Sequence, residues 1–150
     1  MTVEVQTVHS AQKAAIDAHQ AGKLEKAAYL YCRAIAFSDV ADANIYANYG
    51  ALLRQQEQVE KASAIYRRGL AEFPDNQALL KNYGNLLLQE GKADLALAQY
   101  VKAENALTNF NKLKKIQRMQ AQALAELGYS RLALQLLKPI LRNDPDDQRL

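Results

Sequence analysis

Residues 81–109 read KNYGNLLLQEGKADLALAQYVKAENALTN, and residues 47–76 read ANYGALLRQQEQVEKASAIYRRGLAEFPDN. The two align over their length: Tyr49-Gly50 with Tyr83-Gly84, Ala62 with Ala96, Tyr66 with Tyr100. A third copy follows at 120–147, QAQALAELGYSRLALQLLKPILRNDPDD, and a fainter one precedes at 13–40, KAAIDAHQAGKLEKAAYLYCRAIAFSDV. Taking Ala27, Ala62, Ala96 and Ala133 as landmarks, the intervals are 35, 34 and 37 residues. Self-similarity at a period near 34 with apolar positions three and four apart marks stacked pairs of antiparallel helices.

Each copy divides in the same way. A first helix, A, carries a small residue where a neighbouring helix approaches closely: Ala15, Gly50, Gly84 and Ala121. A tight turn follows at Gly22, Glu57, Gly91 and Gly128. Glycine suits the left-handed geometry that ends a helix, so Glu57 is expected to make a less relaxed turn. A second helix, B, then places Tyr31, Tyr66 and Tyr100, with Leu137 in the last copy, four residues after the landmark alanine. A small residue follows three positions later at Ala34, Gly69 and Ala103, with Ile140 in the last copy. Spacings of three and four share a helix face, so the tyrosines are expected in the core.

These residues resemble the tetratricopeptide repeat. Tyr46, Tyr49-Gly50, Leu53, Ala62, Tyr66, Gly69 and Pro74 give the fullest copy; Leu80, Tyr83-Gly84, Leu87, Ala96, Tyr100 and Ala103 give the second, with Thr108 where proline is expected. The last copy has Pro145 in place but also Pro139 inside helix B, where a lost backbone hydrogen bond is expected to kink the helix. The resemblance implies an all-α fold, a right-handed α-solenoid of antiparallel helix pairs with about eight helices. The copies are expected at about 8–41, 43–76, 77–110 and 114–147 of a single domain, with residues 1–7 frayed or extending the first helix. The longer interval before the last copy is expected either to lengthen helix B of the third copy or to form a longer loop carrying Phe110.

Composition agrees with this reading. Among 150 residues there are 26 Ala and 22 Leu but only six Gly and three Pro, too few turn formers for a many-stranded sandwich. A single cysteine, Cys32, excludes an internal disulfide and a zinc-thiolate cage, and is expected as a small core residue. No apolar run approaches the length of a membrane span and no signal peptide opens the chain, which points to the cytoplasm.

No catalytic constellation is apparent, no cofactor motif and no metal-ligand spacing. His9 and His19 are ten apart and read as ordinary surface or groove histidines. Asp144, Asp146 and Asp147 read as helix-end capping and solvation. The chain is therefore expected to be non-enzymatic and to work through a concave groove lined by the A helices. By helical phase that groove holds Lys13, Asn44, Asn48, Arg54, Lys81, Asn82, Asn85, Lys115, Arg118 and Gln122. The A-helix faces carry five basic residues and one acid, Glu126, a net +4 that exceeds the whole chain's +3. A basic groove rich in amides suits an extended, acidic peptide or partner protein.

Asn48 and Asn82, each two before the Gly, resemble two rungs of the asparagine ladder by which the repeats of O-linked N-acetylglucosamine transferases hold peptide backbones. A second family use, clamping a chaperone's C-terminal carboxylate, finds the right residue types in Lys13, Asn48, Lys81 and Asn82 but the wrong spacing. Three other readings stand beside the peptide groove. The chain resembles bacterial segments that precede a glycosyltransferase or methyltransferase domain. Lys112, Lys114, Lys115 and Arg118 offer phosphate contacts for a nucleic acid, but only Phe110 accompanies them, and a solvated helix start is preferred. Leu132, Leu136, Leu137, Ile140 and Leu141 lack a following helix as cover, which suits a fragment of a longer chain or a homo-oligomer.

Overall fold

The structure, a computed structural model, describes residues 3–36, 41–106 and 110–142, with side chains from 9–36, 41–106 and 113–140. The described residues form eight α-helices: α1 Val3–Gln20, α2 Leu24–Ala36, α3 Ala43–Gln55, α4 Val59–Glu72, α5 Gln77–Gln89, α6 Ala93–Asn105, α7 Phe110–Glu126 and α8 Ser130–Arg142. They fall into two compact units, Met1–Pro74 and Asp75–Leu150, each holding two copies of the helix pair. The fold is all-α, with each A helix packed on its own B helix.

Four turns of one design join the pairs. In each, the third residue past the helix donates its N–H to the carbonyl five residues back: Lys23 to Ala18 at 2.9 Å, Gln58 to Leu53 at 2.8 Å, Lys92 to Leu87 at 2.8 Å and Tyr129 to Leu124 at 2.9 Å. The residue before it donates three back, Gly22 to His19 and Glu57 to Arg54 among them, each at 3.0 Å. This pairing ends a helix with one residue in the left-handed region. Gly22, Gly91 and Gly128 take φ of 75°, 76° and 87° there, and Glu57 takes 60°. The expected strain at Glu57 is present.

Two A helices start on short polar side chains. Asp42 accepts from Ile45 N at 3.2 Å, and Asn76 accepts from Leu79 N at 3.1 Å. Each removes one of the unpaired donors of a helix start.

The cores of both units are built from the small residues and the tyrosines. In the first unit Ala15, Ala27, Tyr31, Ala34, Ile45, Tyr46, Leu52, Ala62 and Tyr66 are buried. In the second Leu79, Leu80, Leu86, Ala96, Tyr100, Ala103, Ile116 and Ala121 are buried. Gly50 and Gly84 leave room for the ring of the tyrosine on the paired B helix. A Cβ at Gly50 would lie 2.2 Å from Tyr66 Cε1, and one at Gly84 would lie 2.4 Å from Tyr100 Cε1.

Several expectations are corrected. The extra residues before the last copy neither lengthen helix B nor form a loop around Phe110. Helix α6 ends at Asn105, and Phe110 is the first residue of a 17-residue α7, so the insertion lengthens the A helix. At the other end α1 begins at Val3, so residues 3–7 extend the first helix. Cys32 is exposed, one position round the helix from buried Tyr31. Ile140 is buried at 4% exposure whereas Leu132 is 51% exposed, so the apolar face of α8 is only partly open. Helix α8 runs through Pro139 to Arg142. The readings for Thr108, Asp144, Pro145, Asp146 and Asp147, and for the side chains of Phe110, Lys112 and Leu141, lie outside the described residues.

Candidate functional site

In the first unit the A helices α1 and α3 are neighbours, tied at both ends by side chains. Gln12 Nε2 donates to Asp42 Oδ1 at 3.2 Å, and His19 Nε2 lies 3.1 Å from Gln55 Oε1. Between these ties lie the expected groove residues Lys13 and Asn44, both exposed, and Asn48 and Arg54, both half-buried. Ala47, between Asn44 and Asn48, is buried at 4% exposure. Arg54 has a second influence. Burial pushes the Tyr66 hydroxyl up to about 12, and the Arg54 charge pulls the other way.

In the second unit Lys81, Asn82 and Asn85 on α5 are half-buried, and Lys115, Arg118 and Gln122 on α7 are exposed. Asn85 is already engaged: Tyr100 Oη donates to its Oδ1 at 2.7 Å. Its carbonyl satisfies a core hydroxyl, and its Nδ2 keeps its donors. Gln122 Nε2 approaches Glu126 Oε1 at 3.4 Å, a weak tie that leaves its carbonyl open. Lys115, Arg118 and Gln122 are spaced three and four apart and share one face of α7.

Charge is uneven among the helices: α1 carries Glu4 and Asp17 with Lys13, and α8 carries Arg131, Lys138 and Arg142 with no acid. Helix α3 carries Arg54 and helix α5 carries Lys81, with no acid on either; α7 carries Lys112, Lys114, Lys115 and Arg118 against Glu126. The B helices α2, α4 and α6 mix signs, with Glu25, Glu60, Glu72, Asp94 and Glu104 among them. In the second unit an incoming anion therefore meets basic side chains on α5 and α7 and a mixed set on α6.

One cluster escaped the sequence reading. Tyr49 stacks on Tyr31 with ring centroids 5.8 Å apart, His19 meets Tyr31 edge-on at 6.2 Å, and Tyr49 Oη lies 3.0 Å from Cys32 Sγ. Burial first, then the contact with Cys32, pushes the Tyr49 hydroxyl up to about 12. The position before the small A-helix residue thus reads the preceding B helix. In the second unit Gln120 holds the same position, is buried, and donates from Nε2 to Glu104 Oε2 of α6. The repeat register could have disclosed this pairing, because Tyr49, Tyr83 and Gln120 stand at equivalent places.

Among the described residues there is no group of three or more His, Cys, Asp or Glu placed to hold a metal. No helix among them is long and apolar enough to cross a membrane.

The family model for the tetratricopeptide repeat matches residues 43–86. No curated protein matches the sequence. Solved structures that superpose include a tetratricopeptide repeat protein from Parabacteroides merdae, 18% identical with a TM-score of 0.83, over 96% of this chain and 56% of that one. They also include pilF of Pseudomonas aeruginosa, 18% identical with a TM-score of 0.80, over 97% of this chain and 66% of that one. MamA is 15% identical with a TM-score of 0.80, over 95% and 81% respectively. This chain thus spans little more than half of the Parabacteroides merdae protein. Residues 43–86 thus match the tetratricopeptide repeat, and the chain carries that repeat's fold.

Proposed function

We propose that the chain is a non-catalytic protein-interaction module, which holds an extended, acidic peptide or partner segment against its A helices. The observation that carries the reading is the set of accessible Asn48, Lys81, Asn82, Lys115 and Arg118 on α3, α5 and α7, which hold one acid among them, with Lys13 on α1, which also holds Glu4 and Asp17. Long cationic side chains draw an acidic segment in, and the amides of Asn48 and Asn82 offer both a donor and an acceptor to its backbone. The reading treats the four copies as one domain. An exposed free thiol at Cys32 suits a reducing compartment such as the cytoplasm.

The test is capture from a bacterial lysate by the wild type and by Asn48→Ala/Lys81→Ala/Asn82→Ala/Arg118→Ala. Partners held by the wild type and lost by the variant, with helicity unchanged, support the reading. The same partners on both move the working surface elsewhere.

A second reading, self-association through α8, is favoured by the exposure of Tyr129, Leu132 and Leu134, at 56%, 51% and 58%. Apolar side chains at that exposure gain by being covered. A mass in light scattering that rises with concentration supports it, and a constant monomer mass contradicts it.

A further inference from the structure

Two B helices show what a following A helix covers. In the first unit α2 packs on α3, and in the second α6 packs on α7. Helix α8 is written in the same register, with Ala133 at the place of Ala27 and Ala96. Four residues after that landmark Tyr31 and Tyr100 are fully buried, whereas Leu137 is half-buried. One residue after it Ala28 and Leu97 are half-buried, whereas Leu134 is 58% exposed. One residue before it Leu132 is 51% exposed and its counterpart Leu95 is 50% exposed, so Leu132 is not part of the difference. The open face of α8 is the side of Leu134 and Leu137. On α2 the same side meets the next A helix, where Tyr31 stacks on Tyr49.

Charge on this side selects what fits it. Five residues after the landmark, Cys32 Sγ lies 3.0 Å from Tyr49 Oη of α3. On α6 the same place in the next A helix, Gln120, is met by Glu104. On α8 the residue five after the landmark is Lys138, which is exposed one position from Leu137 and four from Leu134. The helix holds Arg131, Lys138 and Arg142 and no acid. Glu126 of α7 stands at the turn end of the pair, whereas Lys138 lies about 12 Å along α8 from its first residue. Two copies of α8 set face to face would oppose cation to cation, so the charge favours an acidic occupant. The A helices supply the rest of the pattern. Ile45 and Leu52 stand four before and three after Tyr49, Ile116 and Ala123 stand likewise about Gln120, and all four are buried.

We propose that the Leu134, Leu137 and Lys138 face of α8 docks an amphipathic helix of a partner protein, one that sets a glutamate or aspartate against Lys138 between apolar residues four before and three after it. The ligand is helical and the surface is a B helix, so the inference goes beyond the extended-peptide reading of the A helices. Its apolar residues cover Leu134 and Leu137 as α3 covers Tyr31, and its carboxylate meets the one cation placed at the centre of that contact.

The experiment uses the full chain and a probe copied from α3. Labelled peptides of residues 42–58 carrying Tyr49→Glu (acidic) or Tyr49→Lys (basic) are titrated by anisotropy into the wild type, Lys138→Glu and Leu134→Ser. The wild type is expected to bind the acidic peptide about three- to tenfold tighter than the basic one. Lys138→Glu is expected to reverse the order, and the gain for the basic peptide shows that the variant is folded. Leu134→Ser is expected to weaken the acidic peptide about threefold or more. Binding of neither peptide by the wild type would overturn the inference. An acidic preference that survives Lys138→Glu would place the peptide on the basic A helices and overturn it too. A mass of the protein alone that rises with concentration, and no longer does so in Leu134→Ser, would give the face to a second copy and contradict the partner helix. The charge reversal is read on α8 alone, so it is independent of the lysate capture that tests the A helices.

Discussion

Gly84 and Tyr100 share one space: a Cβ on the glycine would sit 2.4 Å from Cε1 of the tyrosine ring. Alanine in an open helix position gains about 1 kcal/mol over glycine, whereas overpacking a tight core costs about 1–3 kcal/mol. Because Tyr100 is fully buried and its hydroxyl is held by Asn85, the overpacking term wins. Gly84→Ala is expected to lower stability by about 1–3 kcal/mol in urea denaturation, and Gly84→Leu by at least as much. Pairing Gly84→Ala with Tyr100→Leu is expected to recover part of the loss. Additive losses would contradict the shared space.

Glu57 stands where the other three turns have glycine and adopts φ 60°. A non-glycine residue held in this region costs of order 1 kcal/mol, offset in part by the greater freedom glycine has in the unfolded chain. Glu57→Gly is expected to raise stability by about 0.5–1 kcal/mol, read as a higher urea midpoint with unchanged slope. A lower midpoint would mean that the Glu57 side chain does something for which no contact in the structure accounts.

Alkaline pH is expected to destabilise the first unit. Burial raises the hydroxyls of Tyr31 and Tyr46 and pushes those of Tyr49 and Tyr66 up to about 12, while an unfolded tyrosine ionises near its ordinary value of 10.0. The unfolded chain thus releases protons first, so the stability these groups confer is complete below about pH 10 and is lost between about pH 10 and 12. Thermal melts across this range are expected to fall less steeply for Tyr66→Phe than for the wild type. Parallel curves would show that Tyr66 is not among the groups responsible.

The Tyr100–Asn85 hydrogen bond ties one amide of α5 to the core. Tyr100→Phe is expected to cost about 1 kcal/mol. Asn85→Ala is expected to cost a similar amount, and the double variant less than the sum. Capture of partners is expected to survive Asn85→Ala and to weaken with Asn82→Ala. The reverse order would put Asn85 back among the ligand-facing residues.

The period near 34 made the helix pairs, the close approaches at Gly50 and Gly84, the buried tyrosines and the strained turn at Glu57 legible from sequence, because each follows from helical spacing and backbone geometry alone. Helix lengths between copies were less legible. Nothing in ENALTNFNKLKK says which of two helices takes the extra residues, since both ends of that stretch favour helix. The exposure of Cys32 was missed because composition favours burying cysteine, while its phase, one step from Tyr31, points it outward. The sequence shows basic and amide side chains on the A helices, but not which of them the fold engages. Asn85 and Asn82 differ only in phase, and only coordinates reveal the Tyr100 hydroxyl waiting for one of them.

The central claim is that the A helices hold acidic, extended segments. It is tested most directly by fluorescence anisotropy with matched peptides, one rich in Asp and Glu and one with Asn and Gln in their place, on the wild type and on Lys81→Ala/Asn82→Ala/Arg118→Ala. The account expects the acidic peptide to bind more tightly than its neutral twin, the preference to shrink as salt is added, and the variant to lose it. Equal affinity for both peptides, or an undiminished preference in the variant, would contradict it.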